Sequence, residues 1–389
     1  MNKQLIIRIA LSLVLFFGSG FGSYLLFSPS NASSPDGSSA LAPIEEAAEG
    51  ATMFDQTLPK TEECPLNGVK YSKQQKEWWE KHRPLGIMIE NHENSRPQSG
   101  LSFADVIYEV VAEGGITRFL PVYYCNDAGQ VGPVRSARTY FLDFISEYGS
   151  NPLYAHVGGA NTPGPANALG QIGDYGWGNY NDLNQFAIGF PVFWRDYQRL
   201  GHPTQTEHTM YSKTRMLWEY AAKNRKLTQV DEDKNTWDKK FVSYGFKEDA
   251  SSKGSIASIH LEFWSSMPDY FVDWKYDIKT NSYLRKSGGQ NHMDRNTNKQ
   301  IIAKNIVVLS MIESNANDGY DQGTHLLYRT KGTGKATIFM DGKKITGTWK
   351  KSSREGRTII TDNSGKEIQF NRGLIWFEVL PTTGVIQAS

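Results

Sequence analysis

The stretch ADVIYEVVAEGGITRFLPVYYC, residues 104–125, predicts two β-strands joined by a tight turn. Branched and aromatic residues fill both arms, and Gly114-Gly115 between them suits a two-residue turn in which both residues take positive φ. Pro121 predicts that the second strand lies at a sheet edge or carries a bulge, because proline has no amide hydrogen for the strand ladder. The chain is therefore expected to contain an antiparallel hairpin here.

The register of this hairpin decides which charged side chains meet. A two-residue turn at Gly114-Gly115 places Arg118 opposite Val111. One face of an otherwise apolar hairpin then carries three charged side chains: Glu109, Glu113 and Arg118. Charged groups are costly to bury without partners, so this face needs further charged or polar side chains from elsewhere in the chain.

The segment PVRSARTYFLDFISEY, residues 133–148, predicts a helix, since its apolar residues recur with helical spacing. Pro133 suits the first helical position, which places Arg135 and Arg138 in the first or second turn. Positive charge at that end opposes the helix dipole by about 0.3 to 1 kcal/mol per residue. An anionic partner is therefore expected beside the two arginines.

Two explanations of these arginines remain open. In the structural one, they pair with Glu90, Glu109 or Glu113 and join the helix to the sheet, for which the planar guanidinium group is well suited. In the functional one, the guanidinium groups and free amide groups hold an anionic ligand, either a carboxylate or a phosphate. The predicted ligand-binding set is Arg118, Arg135, Arg138, Glu113 and His156, with Glu113 orienting the arginines.

His156 ends a third predicted strand, PLYAHV, residues 152–157, directly before Gly158-Gly159. At a strand end it can face a site and act as an acid or a base, so Glu113 and His156 are the catalytic candidates. The alternative is a buried histidine with a purely structural role. His208, in TEHTMY, has the same two interpretations.

Two other polar groups are secondary candidates. Glu90 and Asn91 lie at the end of the predicted strand LGIMIE. In YLRKSGGQNHMD, residues 283–294, a glycine pair gathers three side chains that bind anions or exchange protons: Arg285, His292 and Asp294. Asp294 is expected to orient His292, unless the segment is simply a solvated hairpin tip.

Composition limits the classes of function. The net charge of +1 gives no electrostatic reason to expect nucleic-acid binding. The two cysteines and eight histidines form no CxxC or HExxH pattern, so neither a metal site nor a cofactor is predicted. In an exported chain, Cys64 and Cys125 can form a disulfide, although the sequence cannot show that they meet.

The N-terminus predicts export. Lys3 and Arg8 precede the uncharged run ALSLVLFFGSGFGSYLLF, and together with LIIRI before it the run is long enough for a bilayer, which needs about 20 apolar residues. We assign residues 1–27 as a single-pass membrane anchor or a signal segment, with the remainder outside the cytoplasm. No cysteine follows the run, so no lipid-modified cysteine is expected there.

The remainder is expected to form a tether and two domains. Residues 28–62 are small, polar and acidic, which predicts a disordered tether. Residues 63–237 alternate strand and helix patterns, which predicts an α/β or α+β domain. Residues 238–389 show strand patterns throughout, with Asp341-Gly342 as a hairpin turn, which predicts a β-rich domain.

Several long motifs in this order resemble the YerB-like family of bacterial lipoproteins. They include the stretch RPLGIMIENHENSRPQSGLSFADVIYEVVAEGGITRFLPVYY, then GPVRSARTYFLDFISEYG, LYAHVGG, YLRKSGGQNHMD and LIWFEVLP. The resemblance covers about residues 64 to 385. It implies a two-domain bacterial protein that faces the cell envelope, and it implies no particular reaction.

The sequence therefore predicts a membrane-anchored extracytoplasmic protein that binds an anionic envelope ligand through its arginines. An envelope hydrolase or transferase that uses Glu113 or His156 is the second hypothesis. A structural envelope scaffold, in which the charged residues form only a buried ion-pair network, is the third.

Overall fold

The hairpin of residues 104–125 forms two neighbouring strands within an eleven-stranded mixed sheet. The computed structural model describes residues 51–320 and 323–389, and these described residues belong to one compact unit. The strands of the first part of the chain are β1 (Lys60–Glu63), β2 (Lys70–Ser72), β3 (Leu85–Ile87), β4 (Ile89–Glu90), β5 (Val106–Glu113), β6 (Ile116–Tyr123), β7 (Gln130–Val131), β8 (Leu153–His156), β9 (Asp182–Asn184), β10 (Trp194–Arg195) and β11 (Met210–Lys213). The α-helices are α1 (Lys73–Trp79), α2 (Thr139–Ile145), α3 (Ala168–Asp174), α4 (Gln185–Ile188) and α5 (Thr214–Arg225).

The second part of the chain forms strands, as predicted. They are β12 (Gly245–Lys247), β13 (Ser258–Glu262), β14 (Val272–Asp277), β15 (Ser282–Ser287), β16 (Gln290–Asn291), β17 (Met293–Asp294), β18 (Lys299–Gln300), β19 (Ile302–Ala303), β20 (Asn305–Met311), β21 (Glu313–Asn315), β22 (Leu326–Tyr328), β23 (Gly332–Met340), β24 (Lys343–Lys351), β25 (Ile359–Asp362), β26 (Gln369–Asn371), β27 (Ile375–Pro381) and β28 (Val385–Ala388). The predicted turn at Asp341-Gly342 joins β23 to β24, and both of its residues have positive φ.

The large sheet joins both parts of the chain. Its strand order is β25–β24–β23–β20–β27–β5–β6–β3–β8–β9, and β4 pairs with β6. Strand β27 runs parallel to β5 and pairs with it from Ile375 opposite Val106 to Val379 opposite Val110. The α/β first part and the β-rich second part therefore share one sheet, and the boundary between residues 237 and 238 stays a prediction.

Different elements cover the two faces of this sheet. On one face, the ring of Tyr108 stacks on Phe144 of α2, with the ring centroids 4.7 Å apart. On the other face, Trp376 packs edge-on against Trp274 of β14, with the centroids 5.3 Å apart. Strand β14 belongs to a six-stranded sheet with β13, β15, β16, β19 and β28. The candidate residues are accordingly divided between a helix-covered face and a face between two sheets.

The turn of the hairpin is as predicted, but the position of its second strand is not. Gly114 and Gly115 take φ of 58° and 80°, as a two-residue hairpin turn requires. The prediction that this strand lies at a sheet edge is wrong, because β6 pairs with β5 on one side and with β3 and β4 on the other. Pro121 is tolerated because it lies between the β6 residues that pair with β4 and those that pair with β3, where the ladder is interrupted.

A bulge in β5 changes the predicted register. Strand β5 is irregular between Val111 and Glu113, so Arg118 lies opposite Val110 rather than Val111. One extra residue in a strand reverses the side on which the preceding side chains emerge. Glu109 therefore lies on the face opposite Glu113 and Arg118, and the prediction that these three share a face is wrong.

The predicted helix over residues 133–148 begins later than expected. Helix α2 spans Thr139–Ile145, with Arg138 at its N-cap position. The residues before it are extended, and the amide of Arg135 donates to the carbonyl oxygen of Met88 at 2.8 Å. Hydrogen bonds to neighbouring strands thus outweigh the helical periodicity. The argument that two arginines oppose a helix dipole does not apply to Arg135.

The predicted membrane anchor, residues 1–27, lies outside the described residues, and no helix within the described part is long and apolar enough to cross a membrane. The end of the predicted tether, residues 28–62, is ordered. Lys60–Glu63 pairs with β2, and the amide of Thr52 donates to Asp127 at 2.9 Å. Strand pairing and a side-chain cap, which the polar composition does not reveal, hold this end on the folded unit.

Candidate functional site

Six polar side chains meet on the face of the large sheet that α2 covers. We call them the arginine cluster, and they are Arg118, Arg135, Arg138, Glu90, Glu113 and His208. Glu90 of β4 lies opposite Arg118 of β6 in the strand ladder. The other members come from the end of β5, the extended residues before α2, and the 3-10 helix Thr206–His208. The sheet thus brings together segments that are far apart in the chain.

Glu113 bridges two of the arginines. Its Oε1 lies 2.6 Å from Nη2 of Arg118 and its Oε2 lies 2.5 Å from Nη2 of Arg138. The Nη1 atoms of these arginines donate to the carbonyl oxygens of Ser136 and Ala137, at 3.0 and 2.9 Å. Both arginines are buried and engaged within the protein. Glu113 therefore holds both guanidinium groups in place.

The electrostatics of the cluster keep Glu113 ionised. Burial favours the neutral carboxyl, but the positive charges of Arg118 and Arg138 outweigh it and lower the pKa of Glu113 to about 2. Burial and the nearby Arg138 lower the pKa of Arg118 to about 10, so Arg118 is cationic at neutral pH. Glu113 is consequently a poor general base.

The depressed pKa of Glu113 predicts a loss of stability in acid. Its ordinary value is 4.5 and its folded value is about 2, so its stabilisation is present above pH 4.5 and is lost as the pH falls toward 2. We expect the free energy of unfolding of the wild type to fall more steeply over this range than that of Glu113→Gln. Denaturant titrations at several acidic pH values measure both curves, and parallel curves would contradict the assignment.

Arg135 differs from the other two arginines. Its Nε lies 3.1 Å from Oε1 of Glu90, but no described residue accepts a hydrogen bond from its Nη1 or Nη2. Its side chain is 26% exposed, whereas those of Arg118 and Arg138 are 3% and 7% exposed. Arg135 therefore presents two free donors at a partly open position beside a cluster that already contains two buried arginines.

Glu90 connects Arg135 to a buried histidine. Its second oxygen, Oε2, lies 2.8 Å from Nδ1 of His208. The half-buried ring of His92 stacks on His208, with centroids 4.8 Å apart and planes 22° apart. Burial, together with the neighbouring His208, lowers the pKa of His92. Of the secondary candidates, Glu90 therefore belongs to the arginine cluster.

His156 lies next to the cluster but does not face it. Its Nδ1 lies 2.6 Å from the carbonyl oxygen of Gly158 and its Nε2 lies 2.6 Å from Oδ1 of Asp182. The side chain is fully buried, so both ring nitrogens are occupied and its predicted contact with a ligand does not fit. The same carbonyl of Gly158 accepts from the amide of Ala137 at 2.9 Å. His156 thus positions the segment that carries Arg135 and Arg138.

Arg285 and His292 belong to a different group, between the two sheets. We call it the inter-sheet network, and its members are Asn91, Gln98, Glu109, Arg285, His292 and Glu378. Arg285 forms an ion pair with Glu109, and both side chains are 0% exposed. Its Nη1 lies 2.6 Å from Nδ1 of His292, whose Nε2 lies 2.7 Å from Oε1 of Gln98. The tip of the hairpin, residues 289–291, is exposed, but Arg285, His292 and Asp294 are buried, so the solvated-tip alternative does not hold for these three side chains.

Two glutamates lie side by side in this network. Glu378 of β27 is opposite Glu109 of β5 in the parallel ladder, and its Oε1 accepts from Nε1 of Trp274 at 2.9 Å. Burial and the neighbouring Glu109 raise the pKa of Glu378 well above its usual range. Glu378 is therefore neutral and Arg285 balances the single charge of Glu109, which makes the network electrically neutral and structural in character.

Asp294 does not orient His292 as predicted. Its carboxylate accepts from the amide groups of Gly100, Ser102 and Asn296, at 3.2, 2.7 and 2.8 Å. It therefore caps two loops, and Gln98 takes the predicted position beside His292, with its Oε1 2.7 Å from Nε2 of the ring.

Cys64 and Cys125 form the predicted disulfide, with their Cα atoms 6.0 Å apart. Within residues 51–320 and 323–389, the only group of three potential metal ligands consists of these two cysteines and Asp105. Sulfur atoms that are bonded to each other are not thiolates, so this group does not suit a metal ion.

Two residues of these groups, His208 and Glu378, are absent from the ligand-binding set that the sequence predicts. Nothing in TEHTMY indicates that His208 meets Glu90, 118 positions away, so the predicted ligand-binding set does not include it. Glu378 carried a usable signal: it is the single charged residue in LIWFEVLP, and a lone charge in an apolar strand indicates a buried partner.

Comparisons with known proteins agree with this architecture. Residues 68–228 match the family described as "Protein of unknown function (DUF3048) N-terminal domain". Residues 259–377 match the corresponding "C-terminal domain". The two matches fall on the α/β part and the β-rich part of the chain, in the expected order.

A relative and a solved structure come from the same organism. The chain is 29% identical over 322 residues to the Bacillus subtilis (strain 168) protein named "Putative lipoprotein YerB", which covers 82% of this chain and 86% of that protein. The crystal structure of YerB protein from Bacillus subtilis matches with a TM-score of 0.68 and 26% identity, over 84% of this chain and 100% of that one. The chain therefore belongs to the YerB-like, DUF3048 family of two-part proteins.

Proposed function

We propose that this protein is an extracytoplasmic binding protein whose arginine cluster binds an anionic component of the cell envelope. The observation that carries the proposal is Arg135, whose Nη1 and Nη2 lack an acceptor among the described residues although the side chain is only 26% exposed. Guanidinium groups with two parallel free donors bind carboxylate and phosphate groups well. The lipoprotein name of the Bacillus subtilis relative supports a location at the envelope.

The charge balance of the cluster supports the same proposal. Three guanidinium groups face two carboxylates, Glu90 and Glu113. Arg118 and Arg138 share the single carboxylate of Glu113, and both also donate to backbone carbonyl groups. The cluster therefore carries a net positive charge, and Arg135 is the most exposed of its three arginines, so an incoming anion meets the smallest desolvation penalty there.

The geometry gives less support to the other two functions. An enzyme that uses Glu113 needs a carboxyl that gains and loses a proton near neutral pH, but two arginines hold this one ionised. A purely structural cluster explains Arg118 and Arg138, but it leaves the free donors of Arg135 without a role. We therefore assign a structural role to Glu113, Arg118 and Arg138 and a binding role to Arg135.

Substitution of Arg135 separates binding from folding. We expect inorganic phosphate to raise the melting temperature of the full chain, since a ligand at about 100 times its Kd stabilises by about 2.7 kcal/mol. Arg135→Ala should abolish this shift while lowering the free energy of unfolding by only roughly 1 to 3 kcal/mol, because Glu90 keeps His208 as a partner.

Arg215→Ala is the matched control, since Arg215 is a surface arginine on α5 whose side chain is 55% exposed. It should keep the full phosphate response. A phosphate response that survives in Arg135→Ala, or is lost equally in both variants, would contradict the proposal. Destabilisation of Arg135→Ala by about 3 to 5 kcal/mol would instead indicate a structural ion pair.

A further inference from the structure

Three buried nitrogens of the arginine cluster have no hydrogen-bond partner among the described residues, namely Nε of Arg135, Nε of Arg138 and Nε2 of His208. The other ring nitrogen, Nδ1, lies 2.8 Å from Oε2 of Glu90. A carboxylate oxygen only accepts hydrogen bonds, so Nδ1 carries a hydrogen, and in the neutral imidazole Nε2 then presents a lone pair. A buried acceptor without a donor is unfavourable, which indicates a donor that the protein itself does not provide.

This lone pair and the free donors of Arg135 are linked through one carboxylate. Oε1 of Glu90 lies 3.1 Å from Nε of Arg135, and its Oε2 binds His208. One carboxylate, that of Glu90, thus contacts both the candidate anion-binding group and the histidine.

The missing donor is neither a metal ion nor a cation. Nδ1 of His92, the nearest second imidazole, accepts from the amide of Asn94 at 3.2 Å, so its Nε2 carries a hydrogen and cannot be a metal ligand in that state. An ammonium donor is repelled by the three guanidinium groups. A neutral hydroxyl meets these requirements, because it donates a hydrogen bond and carries no charge.

We propose that the ligand carries a hydroxyl group next to its anionic group, as sugar acids and polyol phosphates do. The anionic group binds Nη1 and Nη2 of Arg135, and the hydroxyl donates to Nε2 of His208. The half-buried ring of His92, which stacks on His208, moves aside to admit the hydroxyl. This inference rests on the proposed function, because it needs an anion at Arg135.

Matched pairs of ligands test the hydroxyl directly. Glycerol 3-phosphate and propyl phosphate have the same chain length and anionic group and differ in their hydroxyl groups, as glycerate and propionate do among carboxylates. Calorimetric titration of the full chain should show that at least one hydroxyl-bearing member binds about 3- to 10-fold more tightly, which corresponds to one hydrogen bond. The pair that shows the preference identifies the anionic group as phosphate or carboxylate.

Two variants of His208 test the acceptor. In His208→Asn, the side-chain amide still donates to Glu90 but lacks an atom at the Nε2 position, so the ratio of the two affinities within each pair should fall to about one. In His208→Gln, the amide oxygen reaches the Nε2 position, and part of the preference should remain.

The inference is overturned if neither pair shows a preference in the wild type, or if His208→Asn retains it. Failure of the proposed function has a different signature, since the wild type then binds none of the four compounds. Binding of propyl phosphate without any preference for glycerol 3-phosphate or glycerate would leave the anion site intact and remove only the role of His208.

Discussion

Replacement of Arg285 by methionine is expected to lower the free energy of unfolding by about 3 to 5 kcal/mol, the usual effect of removing one partner from a buried ion pair. Both partners, Arg285 and Glu109, are 0% exposed. The guanidinium carbon of Arg285 also lies 4.8 Å from the ring centroid of Trp376. Methionine keeps most of the length and apolar volume of the side chain, so the loss reports the charge that remains on Glu109.

Glu378→Gln is the matched control for this prediction. Because the pKa of Glu378 is raised well above its usual range, this carboxyl is neutral at pH 7, and an amide of the same shape replaces it with little change in charge. We expect a loss of less than about 1 kcal/mol for Glu378→Gln and a much larger loss for Glu109→Gln, which removes the ion pair. Denaturant titrations at neutral pH measure all three variants. Equal losses for Glu109→Gln and Glu378→Gln would show that the charges are assigned wrongly.

Loss of the disulfide is expected to be the second large effect. Cys64 and Cys125 are separated by 61 residues, and closing a loop of that length stabilises the folded state by about 4 kcal/mol in the chain-entropy model. The double variant Cys64→Ala, Cys125→Ala should therefore unfold at a markedly lower denaturant concentration than the oxidised wild type.

Reduction provides the internal control for the disulfide. A thiol reductant should destabilise the wild type by a similar amount and leave the double variant unchanged. The disulfide is expected to have a structural role, because Cys64 follows β1 and Cys125 follows β6. The bond therefore ties the ordered end of the predicted tether to the central hairpin. Equal stability of oxidised and reduced wild type would contradict this role.

Local features of the hairpin were predictable from sequence because short-range geometry determines them. The Gly114-Gly115 pair fixes a two-residue turn, and that turn alone places Glu113 opposite Ile116. Glu113 and Arg118 consequently share a face, as predicted. The strands of the second part were predictable for the same reason, since the turn at Asp341-Gly342 is encoded within a few residues.

The bulge and the late start of α2 were not predictable, because distant segments cause them. The periodicity of residues 133–148 favours a helix, yet Arg135 is held in an extended conformation by Met88, which belongs to another strand region. The bulge between Val111 and Glu113 exchanges the partners of Glu109, which then meets Arg285, 176 positions away. Sequence spacing has no information about such contacts.

The candidate site was predicted in part for similar reasons. Glu113 and the three arginines lie between residues 113 and 138. That they lie close together was therefore predictable from the hairpin and the segment after it. His208 and His156 depended on tertiary packing: the structure brings one to Glu90 and encloses the other between Gly158 and Asp182. A single histidine in an apolar segment does not reveal which of its nitrogens is free.

The most direct test of anion binding at Arg135 is a crystal soaked in selenate, a tetrahedral oxyanion whose selenium gives an anomalous signal. The account predicts an anomalous peak within hydrogen-bonding reach of Nη1 and Nη2 of Arg135, and no such peak in crystals of Arg135→Ala. A wild-type crystal without a peak at Arg135, or a peak that persists in Arg135→Ala, would contradict the account.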